Sequence, residues 1–272
     1  MNNISIFFEK NFLKYLYIFL PVALITGPFL PDLIVTIISL CFILSIKYFK
    51  SDQIFTNKFY LVFIFFYLSI CISSFNSEYA MYSLKPSITY LRFGLFAMGT
   101  YFLLSKNHEI IFKLLKVFLV VFFILFIDSI FQFIFGYNLI GLAHDHEYRI
   151  TSFFGKDEIL GSYVVRLFPF LISLLLFSKE EYKFKVNSLF FILIFFSVSL
   201  IALLSAERTS LALLILSIIL IFLTCGKIRK LIFYIFAIIL ISLTTLTLTS
   251  ENIKNRMFNQ TISQLGLTSE SE

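Results

Sequence analysis

Charge is scarce in this chain. Of its 272 residues only 14% are Asp, Glu, Lys or Arg, where a soluble domain carries about a quarter. Tryptophan is absent, and cysteine is limited to Cys41, Cys71 and Cys225. The cysteines fall in or near different hydrophobic segments without ligand spacing, which argues against a zinc site or a disulfide framework. They read as apolar filler. Long polar stretches are missing too, so no soluble domain of any size fits between the apolar ones. The first apolar block has Lys10 and Lys14 near its start but no small-residue cleavage site. It runs through Gly27, Pro28 and Pro31 into a second block, which predicts a helical hairpin and not a cleaved signal peptide.

What the chain has in quantity is hydrocarbon. The mean hydropathy is +0.94, and 59% of residues are hydrophobic, with 38 Phe and 14 Tyr. An AT-rich genome also produces such a Phe excess, so it points to no function by itself. Apolar blocks fall near residues 13–30, 33–48, 59–73, 87–104, 110–135, 159–177, 188–204, 211–224 and 231–246. A spanning helix needs about 20 apolar residues. The expectation is an all-α, polytopic membrane helix bundle of about nine spans. Residues 1–248 would form the transmembrane domain and 249–272 the start of an external loop.

Basic residues set the orientation, because cytoplasmic loops are enriched in Lys and Arg. With the N-terminus inside, the inner loops carry Lys10, Lys14, Lys47, Lys50, Lys58, Lys106, Lys113, Lys116, Lys179, Lys183, Lys185, Lys227, Arg229 and Lys230. The outer set is Lys85, Arg92, Arg149, Lys156, Arg166, Arg208, Lys254 and Arg256. Nine spans then leave the C-terminus outside. Five of the six arginines lie on the outer side, where a rigid, permanently charged fork would meet an external phosphate or carboxylate. Scattered local ion pairs are the competing account.

Depth singles out two charges. Arg166 lies roughly 10 Å below the start of its apolar block, and Asp128 lies roughly 12 Å from the outer end of the preceding one, at 1.5 Å per residue. Charges in hydrocarbon pair or line a wet cavity. Similar depth on antiparallel neighbours predicts an Asp128–Arg166 pair, either structural or part of a binding site. Between these blocks, 136–158 is the longest polar stretch, with His144, Asp145, His146, Glu147, Arg149, Lys156, Asp157 and Glu158. His144 and His146 beside two acids lack a strong zinc spacing and fit a hydrated loop. Asp157 and Glu158 fit the first turn of the following helix. The short outer turn Ser205-Ala206-Glu207-Arg208-Thr209-Ser210 offers donors to an anionic headgroup, or a cap from Ser205 or Thr209.

Three segments resemble the O-antigen ligase and O-antigen polymerase superfamily of bacterial envelopes. The first is Leu20-Pro21 with Gly27-Pro28-Phe29-Leu30-Pro31-Asp32. The second holds Asp128, Phe131 and Gln132, then Gly136-Tyr137-Asn138-Leu139-Ile140-Gly141, then Arg149 through Tyr163. The third is Leu204-Ser205-Ala206-Glu207-Arg208-Thr209. The run Arg149-x-Thr151-x-x-Phe154-Gly155 followed by Leu160-Gly161-Ser162-Tyr163 is the most specific. The likeness covers nearly the whole chain.

The resemblance implies a GT-C-like fold in the bacterial inner membrane, with the N-terminus cytoplasmic and the C-terminus periplasmic. It implies transfer of a glycan from undecaprenyl diphosphate to lipid A-core or to another lipid-linked glycan. Its partners would be those lipids and membrane lipid, not nucleic acid. No cofactor or metal is expected. Arginines of the second and third segments, Arg149 and Arg208, would grip the diphosphate. Arg166 joins them from its depth, with Asp128, Lys156 and Glu207 in support. In the family a large periplasmic loop with a general-base His, and further helices, follow the ninth span. This sequence reaches only the beginning of that loop, so the expectation is the N-terminal portion of such a transferase. None of His108, His144 and His146 matches the family's base, and no catalytic residue is assigned. A polytopic transporter or lipid-linked glycan permease is the alternative class, although the internal repeats common in transporters are not visible. A membrane scaffold is a third, and it would tolerate neutral replacement of Arg149 and Arg208.

Overall fold

The computed structural model describes residues 11–45, 58–143, 149–181, 187–226, 229 and 232–233. These residues are helical apart from connecting turns and one isolated β-bridge between Tyr137 and Ala143. Eight of the nine apolar blocks correspond to helices or, in one case, to a helix pair. The ninth block, except Ile232 and Phe233, lies outside the described residues, as do His144, Asp145, His146, Glu147 and the stretch 249–272. Four stretches are long and apolar enough to cross a membrane: Lys58–Phe75, Ala80–Ser105, Glu109–Phe135 and Leu160–Glu181. Phe12–Ala23, Phe29–Leu44, Ser188–Leu204 and Arg208–Thr224 are apolar but shorter. At 17 residues, Ser188–Leu204 measures about 26 Å against a hydrocarbon core of about 30 Å.

The chain divides into two compact units, Met1–Val117 and Phe118–Glu272. The first holds α1 (Asn11–Ala23), α2 (Phe29–Ser45), α3 (Lys58–Phe75), α4 (Ala80–Thr89), α5 (Leu91–Lys106) and the start of α6 (Glu109–Phe135). Here α2 packs on α1 and α5, and α3 packs on α4 and α5. The hairpin predicted at Gly27 is present. α1 stops at Ala23, whose carbonyl accepts from the Thr26 hydroxyl at 2.8 Å. Gly27 turns the chain at φ +110°, a conformation open to glycine alone at little cost. Pro31 sits in the first turn of α2, where its missing N–H is harmless. Within this unit Arg92 Nη2 donates to both carboxylate oxygens of Asp32, at 2.8 and 2.7 Å. The Ser74 and Ser87 hydroxyls meet at 2.5 Å and tie α3 to α4. Gly94 of α5 lies so close to the Phe63 ring that a methyl group there would overlap it.

The second unit continues α6 and adds α7 (Leu160–Glu181), α8 (Ser188–Leu204) and α9 (Arg208–Thr224). α7 is its centre, packed against both α8 and α9. Phe168 of α7 meets Phe195 of α8 edge to face at 4.6 Å, and both rings are fully buried. The core is apolar, as in a water-soluble bundle, but so is much of the exterior, and several polar groups are buried. Val120, Phe123, Leu193, Leu216 and Leu223 are exposed, while Asp128, Ser129, Gln132, Asn138, Ser152 and Glu207 are buried. A lipid-facing exterior with polar groups turned inward is what a membrane solvent selects.

Candidate functional site

Most buried polar groups of the second unit, and both buried carboxylates, gather at one end of it; Ser178, Ser199 and Ser217 lie elsewhere along its helices. Asp128 and Gln132 are four residues apart on α6 and therefore share a face. Gly136, at φ +81°, ends the helix, and the chain then folds into a tight loop around Asn138. The Asn138 side-chain oxygen accepts from the backbone N–H of Ile140 at 3.1 Å and of Leu142 at 2.7 Å, and its amide donates to the Ser152 carbonyl at 2.9 Å. Asp128 accepts from the Leu139 N–H at 2.7 Å through one oxygen and from the Ser152 hydroxyl through the other. Gln132 accepts from the Thr151 and Ser152 N–H groups at 3.1 and 2.7 Å. Three side chains thus fix the 138–152 loop at both its ends. Ser152 is held at φ +51°, in the left-handed region that L residues seldom occupy.

A second cluster joins this loop to the α8–α9 turn. The Ile150 N–H donates to the Leu204 carbonyl at 3.4 Å. Glu207 is the N-cap residue of α9, yet its side chain reaches the start of α7. It accepts from the N–H of Gly161 at 2.8 Å, from the N–H of Ser162 at 3.1 Å, and from the Ser162 hydroxyl. Those N–H groups have no partner within their own helix, and the positive end of the helix dipole favours a carboxylate. Ala206, at φ +50° and fully buried, makes the turn.

The six residues assigned to the site from sequence divide between scaffold and rim. Asp128 and Glu207 are buried and bonded to backbone. Arg149 pairs with Glu158 through Nη1, with about a sixth (17%) of its side chain exposed. Arg208 opens α9 and is half-buried, while Lys156 lies exposed in the loop. A continuous path joins the two arginines: Arg149 to Glu158, along the chain to Gly161, to Glu207, and on to Arg208. Both therefore belong to the same end of the unit.

Three expectations are corrected. The Asp128–Arg166 pair is not formed: both oxygens of Asp128 are engaged by Leu139 and Ser152, and Arg166 is exposed on α7 without an ion pair among the described residues. Asp157 and Glu158 precede α7, and it is Glu207 that occupies its N-terminus. Ser205 and Thr209 do not cap α9: Ser205 donates to the Ala202 carbonyl at 2.9 Å, and the N-cap position belongs to Glu207 with no side-chain cap bond. Gln132, Asn138 and Ser162 carry no signal of their own in the sequence beyond the placement of the polar Gln132 four residues after Asp128, on the same helix face. Among the described residues no three His, Cys, Asp or Glu side chains group as a metal site.

Comparison with protein-family models, with curated proteins and with solved structures finds no match.

Proposed function

We propose that the chain is a glycan transferase of the O-antigen ligase or polymerase type, set in a bacterial inner membrane by about nine spans with its N-terminus cytoplasmic. The end of the second unit that carries Arg149 and Arg208 faces the periplasm and grips the diphosphate of an undecaprenyl-diphosphate-linked glycan. Arg166, about 9 Å along α7 from Leu160, meets the lipid side of that ligand, and Lys156 adds charge at the rim. The acceptor is lipid A-core or a second lipid-linked glycan.

One observation carries the reading: a buried network of Asp128, Gln132, Asn138 and Glu207 fastens two arginine-bearing segments to one end of an otherwise lipid-compatible bundle. Such a network costs desolvation unless every member is bonded. It holds backbone rigidly beside Arg149, which already carries an oxyanion, the Glu158 carboxylate. A phosphate oxygen has the same chemistry. As a glycosidic bond to a diphosphate breaks, negative charge develops on the leaving oxygen, and fixed cations stabilise it.

The test is gene deletion followed by analysis of surface polysaccharide. Loss of the long-chain glycan is expected, with restoration by the wild-type chain and not by Arg149→Gln or Arg208→Gln. An unchanged glycan profile with a lost uptake phenotype would overturn this reading in favour of a transporter. Full restoration by both variants would favour a scaffold.

A further inference from the structure

The same loop holds polar atoms that the scaffold leaves unused. Gln132 is fully buried, and both hydrogen bonds of its side chain go to one atom, Oε1. Because that oxygen receives two backbone N–H groups, the amide cannot be reversed. Its Nε2 must then point elsewhere, and it has no hydrogen-bond partner among the described residues. Thr151, whose own N–H touches Gln132, is 4% exposed, and its hydroxyl likewise has no partner among them. Arg149, two residues earlier on the same segment, has a buried Nε in the same condition.

Leaving buried donors unpaired is costly, and here three occur on one loop and the side chain that clamps it. Their chemistry is uniform. The amide NH₂ and the guanidinium N–H only donate, and a hydroxyl can donate. Arg149 keeps its Nη1 on Glu158, so what remains open is three donors, which call for an oxygen acceptor rich in lone pairs, as a phosphate is. We infer that Gln132 and Thr151 form the floor of the anion site, their Nε2 and hydroxyl donating to a phosphate oxygen that Arg149 holds from the same segment. This inference rests on the reading of this end of the unit as a diphosphate site.

The experiment uses the full chain in lipid nanodiscs. Undecaprenyl diphosphate in the bilayer is the probe, and inorganic pyrophosphate is a soluble competitor that separates headgroup from lipid recognition. Gln132→Glu keeps an acceptor for the Thr151 and Ser152 N–H groups and turns the inward donor into an anion. Affinity for both probes is expected to fall by at least about tenfold. Thr151→Val removes only the hydroxyl, with a loss of about three- to tenfold, and Thr151→Ser restores binding. Should Gln132→Glu fail to fold, the Thr151 pair decides. Wild-type affinity in Thr151→Val, and in folded Gln132→Glu, while Arg149→Gln weakens binding would overturn the floor, leave the arginine site standing, and assign these atoms to buried water. Absence of undecaprenyl diphosphate binding by the wild-type chain would overturn the diphosphate reading itself and the floor with it.

Discussion

The Glu207 carboxylate receives the Gly161 N–H at 2.8 Å from 46 positions further along the chain. One buried side chain thereby closes the N-terminus of α7, orients the α8–α9 turn and sets the position of the neighbouring Arg208. The bond lies where helix physics is most demanding, at the N–H groups of a helix start that have no partner within their own helix.

Removing that carboxylate exposes the need for it. Glu207→Ala leaves the Gly161 and Ser162 N–H groups unpaired and is expected to cost about 1–3 kcal/mol. Glu207→Gln retains one acceptor oxygen and should cost less. Thermal unfolding in detergent micelles measures both. An unfolding temperature for Glu207→Ala equal to that of wild type would remove the capping role.

Gly161 is held to its size by the same junction. A methyl group there would overlap the Ser205 hydroxyl and approach that of Ser210 to 2.8 Å. Gly161→Ala is therefore expected to destabilise by about 1–3 kcal/mol through overpacking. Ser205→Gly in the same chain removes the first obstacle and should recover part of the loss. If the double variant is no more stable than Gly161→Ala alone, Ser205 is not the obstacle.

How far these relationships were legible from sequence follows from what each depends on. Helix positions were legible, because an apolar run that must satisfy its own backbone in lipid has few other choices. The interruption at Tyr90 between α4 and α5 was not, since the hydropathy continues across it. Asp128 stood out as a charge at depth. Its partners did not, because they are a backbone N–H and a serine hydroxyl brought back by a loop, and a charge-matching argument looks for Arg166 instead. The bonds of Glu207 to the start of α7 were not legible either, because only the packing of α9 on α7 brings that helix end within reach.

The absence of an Asp128–Arg166 bond has a measurable consequence. Asp128→Asn disturbs the loop bonds to Leu139 and Ser152 and should lower stability, while Arg166→Gln should leave it near wild type. A double-mutant cycle is expected to give coupling within about 0.5 kcal/mol of zero, as for independent sites. Coupling above about 1 kcal/mol would mean that the two charges interact after all.

Asp32 and Arg92 make the opposite case within the first unit. The guanidinium bonds both carboxylate oxygens, and the Arg92 carbonyl accepts from the Ser39 hydroxyl at 2.8 Å, so charge and backbone together join α5 to α2. The Arg92 side chain is 30% exposed and that of Asp32 50%, which screens the pair. The expected coupling in an Asp32→Asn and Arg92→Gln cycle is accordingly about 0.5–1 kcal/mol, well short of a buried ion pair. It should shrink as ionic strength rises and the Debye length falls toward about 3 Å at 1 M salt. Coupling that does not respond to salt would place the pair in a drier setting than its exposure indicates, with solvent shut out by lipid around the α1–α2 hairpin.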